Sequence, residues 1–226
     1  MKLEILDLFK PGEWEWLRDD MLRRIGPEGV DRPYHLDFSK QIWGLPDSGV
    51  IDRRVVLAYN DPAFMMIRDI LDRHFHGSQW FYIAYQRQLV PHGLHIDGKK
   101  DDYVSAEGYS IVIPMQQAPE FKFFLWNQHF DDMDEIQQFR EELKRNPEKF
   151  IRVNDLSQHH KLRHCNFDFS HPITDYMELE GIYDYEIGTM VKFPKHLAHA
   201  SHDWLSCGQH THKDMIIVHT TPPDYE

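Results

Sequence analysis

The chain has 226 residues, 41% hydrophobic and 27% charged, a balance that fits one globular domain with a sizeable core. Its formal net charge of −12 argues against a broad nucleic-acid-binding surface, which needs clustered Lys and Arg. Cys165 and Cys207 give no disulfide framework. The N-terminal residues are acidic where a signal peptide would be apolar, and no apolar run approaches the roughly 20 residues that span a bilayer. A cytoplasmic protein is therefore expected, with no membrane partner and with nucleic acid disfavoured, a local basic groove aside.

In chain order, residues 2–9 read as a strand. Pro11 then opens a helix with Trp14, Leu17, Met21, Leu22 and Ile25 on one face. Residues 26–53 are rich in Gly, Pro and Asp and predict loops with short strands, followed by a strand over 54–59. Asp61 and Pro62 have the N-cap and N1 chemistry of a second helix, whose apolar face is Phe64, Ile67, Ile70, Leu71 and Phe75. From residue 79 the pattern turns to β, with strands over 80–89, 109–115 and 121–126. Asp132 and Glu135 then form a capping box before a helical face of Ile136, Phe139 and Leu143. Residues 147–180 are polar and His-rich with little periodicity. Strands resume over 182–187, 190–193 and 213–221. Helices first and many short strands after predict a mainly β domain with flanking α, a two-sheet jelly roll under an N-terminal helical layer. It would span 1–226, with support from 1–78 and a core over 79–221. The segment at about 130–180 reads as an insertion, a lid or substrate-recognition element outside the core.

Chemistry concentrates in two places. Pro91-His92-Gly93-Leu94-His95-Ile96-Asp97-Gly98 follows a strand, and His95 and Asp97, two apart, share a side of any extended segment. Far downstream the run Gly188-Thr189-Met190-Val191-Lys192-Phe193-Pro194-Lys195-His196-Leu197-Ala198-His199 supplies a further imidazole from another strand. Two imidazoles and one carboxylate cover one face of an octahedron and leave three positions open, as in non-haem Fe(II) oxygenases; a structural metal site would be closed. His196, His199 and His202 compete for the distal place, and counting along the run favours His199, with His202 next. Lys213 opens the apolar strand Met215-Ile216-Ile217-Val218. There it is either a half-buried cation that needs an anion or a surface lysine on an edge strand.

These elements together resemble the Fe(II)- and 2-oxoglutarate-dependent dioxygenases, nearest the prolyl-hydroxylase-like branch. The resemblance spans roughly residues 79–221: Tyr85 on the first strand, His95-Ile96-Asp97, the strand over 109–114, the run over 188–199, and residues 213–220. It implies that His95, Asp97 and His199 hold Fe(II). It also implies that Lys213, 14 residues beyond His199, pairs with the 5-carboxylate of 2-oxoglutarate. Tyr85 could hydrogen-bond the same co-substrate, though a buried structural tyrosine fits equally. O₂ would complete the set, and the reaction would hydroxylate a C–H bond of a small molecule, amino acid or peptide with decarboxylation of 2-oxoglutarate to succinate. Many relatives carry Arg at the basic position and Ser or Thr two residues later, where this chain has Lys213 and Met215. Lysine pairs as a point charge and lacks the bidentate fork.

The rivals are a cupin-like facial-triad metalloenzyme that does not use 2-oxoglutarate, and a metal-free jelly-roll binding module. His159, His160, His164 and Cys165 have zinc-binding residue types but no matching paired spacing, so they read as part of the polar insertion. Asn127, Gln128 and His129, with Trp126 and Trp204, are either active-site lining or ordinary packing.

Overall fold

The computed structural model describes residues 3–5, 7–25, 34–35, 50–75, 79–98, 108–118, 121–156, 160–166, 171–205 and 212–221. His159 and Cys207 lie outside them. In chain order the strands are β1 (Leu3–Ile5), β2 (Tyr34–His35), β3 (Val50–Val56), β4 (Gln79–Gln88), β5 (Tyr109–Pro114), β6 (Lys122–His129), β7 (Leu179–Asp184), β8 (Met190–Pro194), β9 (Leu197–Ser201) and β10 (Lys213–Thr221). The α-helices are α1 (Glu13–Ile25), α2 (Pro62–Asp72) and α3 (Met133–Arg145). Among the described residues, no helix is long and apolar enough to cross a membrane.

Seven strands form one antiparallel sheet in the order β1-β8-β5-β10-β4-β3-β2, and three form a second in the order β7-β6-β9. The segment after β4 adds to the open edge of β9 through a bridge between His95 and His199. The result is a double-stranded β-helix, a jelly roll, with the N-terminal helices layered on the large sheet.

Cross-strand partners share a face, so the register sorts the large sheet into two sides. Ile83, Tyr85, Ile111, Ile113, Ile216 and Val218 join Leu17, Met21, Phe64, Ile67 and Leu71 of α1 and α2 in one buried cluster. The second helix starts where the sequence places it, and α1 begins at Glu13, two residues after Pro11. Asp61 accepts from the Ala63 amide at 2.9 Å, and Pro62 occupies the first turn, where an amide proton has no partner anyway. The opposite, inner face carries Lys213 opposite Gln88, Met215 opposite Gln86, and His219 between Tyr82 and Ser110. Asp52 and Arg54 continue it on β3, opposite Gln88 and Gln86.

Some boundaries differ from expectation for local reasons. The first strand is shorter than 2–9, because Asp7 takes φ 61 and turns the chain toward Gly188, whose carbonyl accepts from Leu8 at 3.0 Å. Gly188 has φ +86 in the turn closed by Thr189 N donating to Glu186 O, a conformation that favours glycine. β6 continues to His129, beyond the expected 126.

The expectation of a lid outside the core does not fit the packing of the insertion. Phe130, Ile136, Leu162, Cys165, Ile173 and Met177 are buried in one cluster with Trp126, Ala198, Leu94 and Ile96. Periodicity could not reveal this, because after α3 the segment proceeds by isolated 3₁₀ turns such as His160–Cys165 and Ile173–Asp175. The capping box is present with one shift: Asp132 accepts from Glu135 N at 2.9 Å, while the Glu135 carboxylate reaches Asp131 N at 2.7 Å.

Candidate metal and anion site

The site begins with the pairing of His95 and His199. His95 N donates to His199 O at 3.0 Å and His199 N donates to His95 O at 2.9 Å. Two residues that exchange both bonds stand directly opposite each other, with side chains on the same face. Their rings lie 4.2 Å apart. Asp97 is two residues on and therefore returns to that face, where its amide donates to Lys195 O at 3.0 Å. One atom from each of His95, Asp97 and His199 lies within 4.8 Å of the other two. His95 Nε2 is 3.8 Å from Asp97 Oδ1, and His199 Nε2 is 3.6 Å from Asp97 Oδ2.

The remaining ring nitrogens fix the tautomers. His95 Nδ1 lies 2.7 Å from Gly93 O, and His199 Nδ1 lies 2.9 Å from Leu197 O. A carbonyl only accepts, so both Nδ1 atoms carry a proton and both Nε2 atoms face Asp97. Histidines that ligate metals are commonly oriented in this way. Burial and the facing His199 hold the His95 imidazole down at about 4, so it is neutral at physiological pH, as a ligand must be. For Asp97 burial pushes the carboxyl up, but the surrounding imidazoles of His199, His219 and His95 outweigh it and hold the group well below the usual carboxylate range. His199 is sealed in at 4% side-chain exposure, whereas His95 and Asp97 keep 26% and 22%. The three donors can thus hold one divalent ion on one side and leave its other side open.

His202 does not join this group. Its amide donates to Lys122 O and its ring packs edge-on against Phe121 at 6.1 Å. His199 lies on β9 between Leu197 and Ser201, which share its side of the strand, while His196 and His202 stand an odd number of positions away. His164 approaches the loop from behind, with Nε2 3.2 Å from His92 O, and Leu94 and Ile96 on either side of His95 are buried in the insertion cluster. The insertion therefore braces the loop that carries His95 and Asp97.

Lys213 lies on the inner face with 2% of its surface exposed, its Nζ 4.5 Å from the Tyr185 ring centroid. No carboxylate among the described residues is within ion-pair distance of it. Burial lowers its pKa from 10.5 to about 7. A buried ammonium without a counter-ion among the described residues is costly.

Tyr85 requires a correction. It sits in the cluster beneath the helices, and its hydroxyl donates to Asp20 on α1 at 3.1 Å. The sheet lies between it and the inner face, so it takes the structural role that the sequence also allowed. His219 is the inner-face group that sequence reasoning missed. Its Nδ1 is 3.1 Å from Ser110 Oγ, its ring packs tilted against Tyr82 at 5.1 Å, and burial lowers its pKa to about 4. The available signal was parity, since 213, 215, 217 and 219 share one side of β10. Trp126 and Trp204 are fully buried core residues. Asn127 and His129 line a cleft of about 200 Å³ with Leu197 and Phe193, and the Phe193 ring lies 4.6 Å from that of His199.

Neither a family model nor a curated protein matches the sequence. Solved structures share its fold. SnoN, a non-heme α-ketoglutarate-dependent epimerase from nogalamycin biosynthesis, aligns over 99% of this chain and 82% of its own, with TM-score 0.56 and 9% identity. SnoN has also been solved in complex with Fe3+, α-ketoglutarate and nogalamycin RO. SnoK, an α-ketoglutarate-dependent carbocyclase from the same biosynthesis, aligns over 97% and 78%, with TM-score 0.55 and 13% identity. A Pseudomonas putida prolyl-4-hydroxylase aligns over 97% and 91%, with TM-score 0.52 and 10% identity. At these identities the likeness is one of fold, the jelly roll of 2-oxoglutarate-dependent oxygenases.

Proposed function

We propose that this chain is an Fe(II)- and 2-oxoglutarate-dependent oxygenase in which His95, Asp97 and His199 hold the iron and Lys213 receives the far carboxylate of 2-oxoglutarate. The observation that carries the reading is the His95–His199 pair. Directly opposed on neighbouring strands, these residues aim two tautomer-fixed Nε2 atoms at one carboxylate, on the open side of a barrel that also buries a lysine with no carboxylate partner among the described residues. The donor set suits a non-haem iron with open positions. Bound iron would supply O₂ activation coupled to decarboxylation of 2-oxoglutarate to succinate.

The chain's own residues do the positioning. The Gly93 and Leu197 carbonyls hold the two rings, the strand pairing sets their separation, and all three donors approach from one side, which leaves the lumen side for the keto acid and O₂. Lys213 gives that keto acid a direction by attracting its distal carboxylate. His219, Tyr82 and Ser110 wall the lumen on the large sheet.

The reaction we favour is hydroxylation of a C–H bond of a small molecule or peptide in the cytoplasm. Structures of this fold include an epimerase, a carbocyclase and a prolyl-4-hydroxylase, so fold alone does not choose among these outcomes. The test is succinate formation from 2-oxoglutarate with Fe(II) and O₂, measured with and without candidate substrates and with His199→Ala as control. Succinate that depends on Fe(II) and on His199 supports the reading. A protein that binds neither Fe(II) nor 2-oxoglutarate refutes it.

A further inference from the structure

Among the described residues, the inner face beside Lys213 holds buried polar atoms with no hydrogen-bond partner. Gln88 stands directly opposite Lys213 on β4, is 5% exposed, and its buried Oε1 has no partner. His92, on the loop after β4, has a buried Nε2 with no partner among the described residues, and burial, His95, Arg54 and Lys213 together disfavour its protonation. Asp52, opposite Gln88 on the other side, is occupied through Oδ2, which accepts from Arg54 Nε at 3.1 Å, Arg54 Nη2 at 2.9 Å and Gln86 Nε2 at 2.6 Å. Its Oδ1 is buried without a partner, and His92 Nε2 stands 3.7 Å from Oδ2, beyond hydrogen-bond reach. Unmet polar atoms of Gln88 and His92 beside a buried ammonium are expensive unless something polar fills the space between them.

We propose that Gln88, assisted by His92, completes with Lys213 a pocket for one carboxylate group, the far end of the co-substrate. The Arg54 guanidinium and the Gln86 amide keep the Asp52 charge from opposing it. The Gln88 amide can turn its nitrogen toward the anion, because oxygen and nitrogen exchange places by rotation of the terminal torsion. Lys213 supplies charge at a point, and a neighbouring amide adds the direction that a lone ammonium lacks. The inference rests on the proposed function, of which it names further binding residues.

The experiment is calorimetric titration of Mn(II)-loaded protein under argon with 2-oxoglutarate and, separately, with pyruvate. Pyruvate has the keto acid end but no distal carboxylate. Gln88→Leu should weaken 2-oxoglutarate binding roughly ten- to hundredfold, the loss of one hydrogen bond to a charged group, and leave pyruvate and Mn(II) binding unchanged. Gln88→Glu should place an internal partner against Lys213, raise the melting temperature and exclude 2-oxoglutarate. Unaltered 2-oxoglutarate affinity in both variants would show that the space holds water only and overturn the inference, with the oxygenase reading intact. If wild-type protein binds Mn(II) but not 2-oxoglutarate, the proposed function falls and the pocket with it.

Discussion

Replacing Lys213 with methionine should stabilise the protein and abolish its binding of 2-oxoglutarate. The side chain is 2% exposed, and burial moves its pKa from 10.5 to about 7. At about 1.36 kcal/mol per pKa unit, this is a penalty of about 5 kcal/mol on the folded, charged form. The sign follows from the direction. The folded-state pKa is depressed, so between pH 7 and 10.5 the unfolded chain holds the proton more tightly. The penalty is therefore complete below pH 7 and relieved as pH rises toward 10.5. Lys213→Met removes it at similar volume. Unfolding free energy from urea titration without ligand should rise by up to about 5 kcal/mol at pH 6.5, by about 2 kcal/mol at pH 9, and hardly at all near pH 10.5. The same variant should show no calorimetric signal with 2-oxoglutarate. A variant less stable than wild type at pH 6.5, or a difference independent of pH, would mean that Lys213 already has a compensating partner, and the case for an anion there would fail.

For wild-type protein, affinity for 2-oxoglutarate should fall about tenfold per pH unit between pH 7 and 9, because the free lysine must first take up a proton. Lys213→Arg should bind with a flat profile, since guanidinium stays charged. His95→Ala, Asp97→Ala and His199→Ala should each lose measurable Mn(II) binding while keeping the wild-type circular dichroism spectrum, and His202→Ala should keep its metal; the reverse result for His199 and His202 would reassign the distal ligand. Leu162→Ala should cost about 2–5 kcal/mol in stability and weaken Mn(II) binding, because the buried cluster that includes Leu94 and Ile96 loses a member. Replacing residues 130–180 with a short linker should give an insoluble or unfolded product, and a folded, metal-binding product would restore the lid.

The helices and the candidate metal site are legible because each leaves a local mark. Asp61-Pro62 is cap chemistry, and the apolar spacing after it fixes the face of α2 against the sheet. His-x-Asp marks a carboxylate and an imidazole on one side of an extended chain, and strand parity separates His199 from its two neighbours. The insertion is illegible for the opposite reason. Its core residues are scattered among 3₁₀ turns, so no period survives, and Leu162 or Met177 looks like an isolated apolar residue until the loop after β4 is folded against it.

Tyr85 and Lys213 were assigned to one site, and the pairing of their strands makes that impossible. β4 is buried on both faces over most of its length, so it has no polar side that would identify the lumen. Tyr85 and Gln86 are equally plausible from sequence. One cross-strand contact decides between them. With Lys213 opposite Gln88, the residues of β4 that share its face are Gln88, Gln86 and Ala84, and Tyr85, an odd number of positions away, must face the helices. A lysine placed on the inner face thus determines the side chains available beside it without further geometry. They are the two glutamines, one engaged with Asp52 and the other with a buried oxygen still unpaired. The amide left over on that face is the reason to look for a ligand at Gln88, where a single substitution can separate the far end of the co-substrate from the metal end.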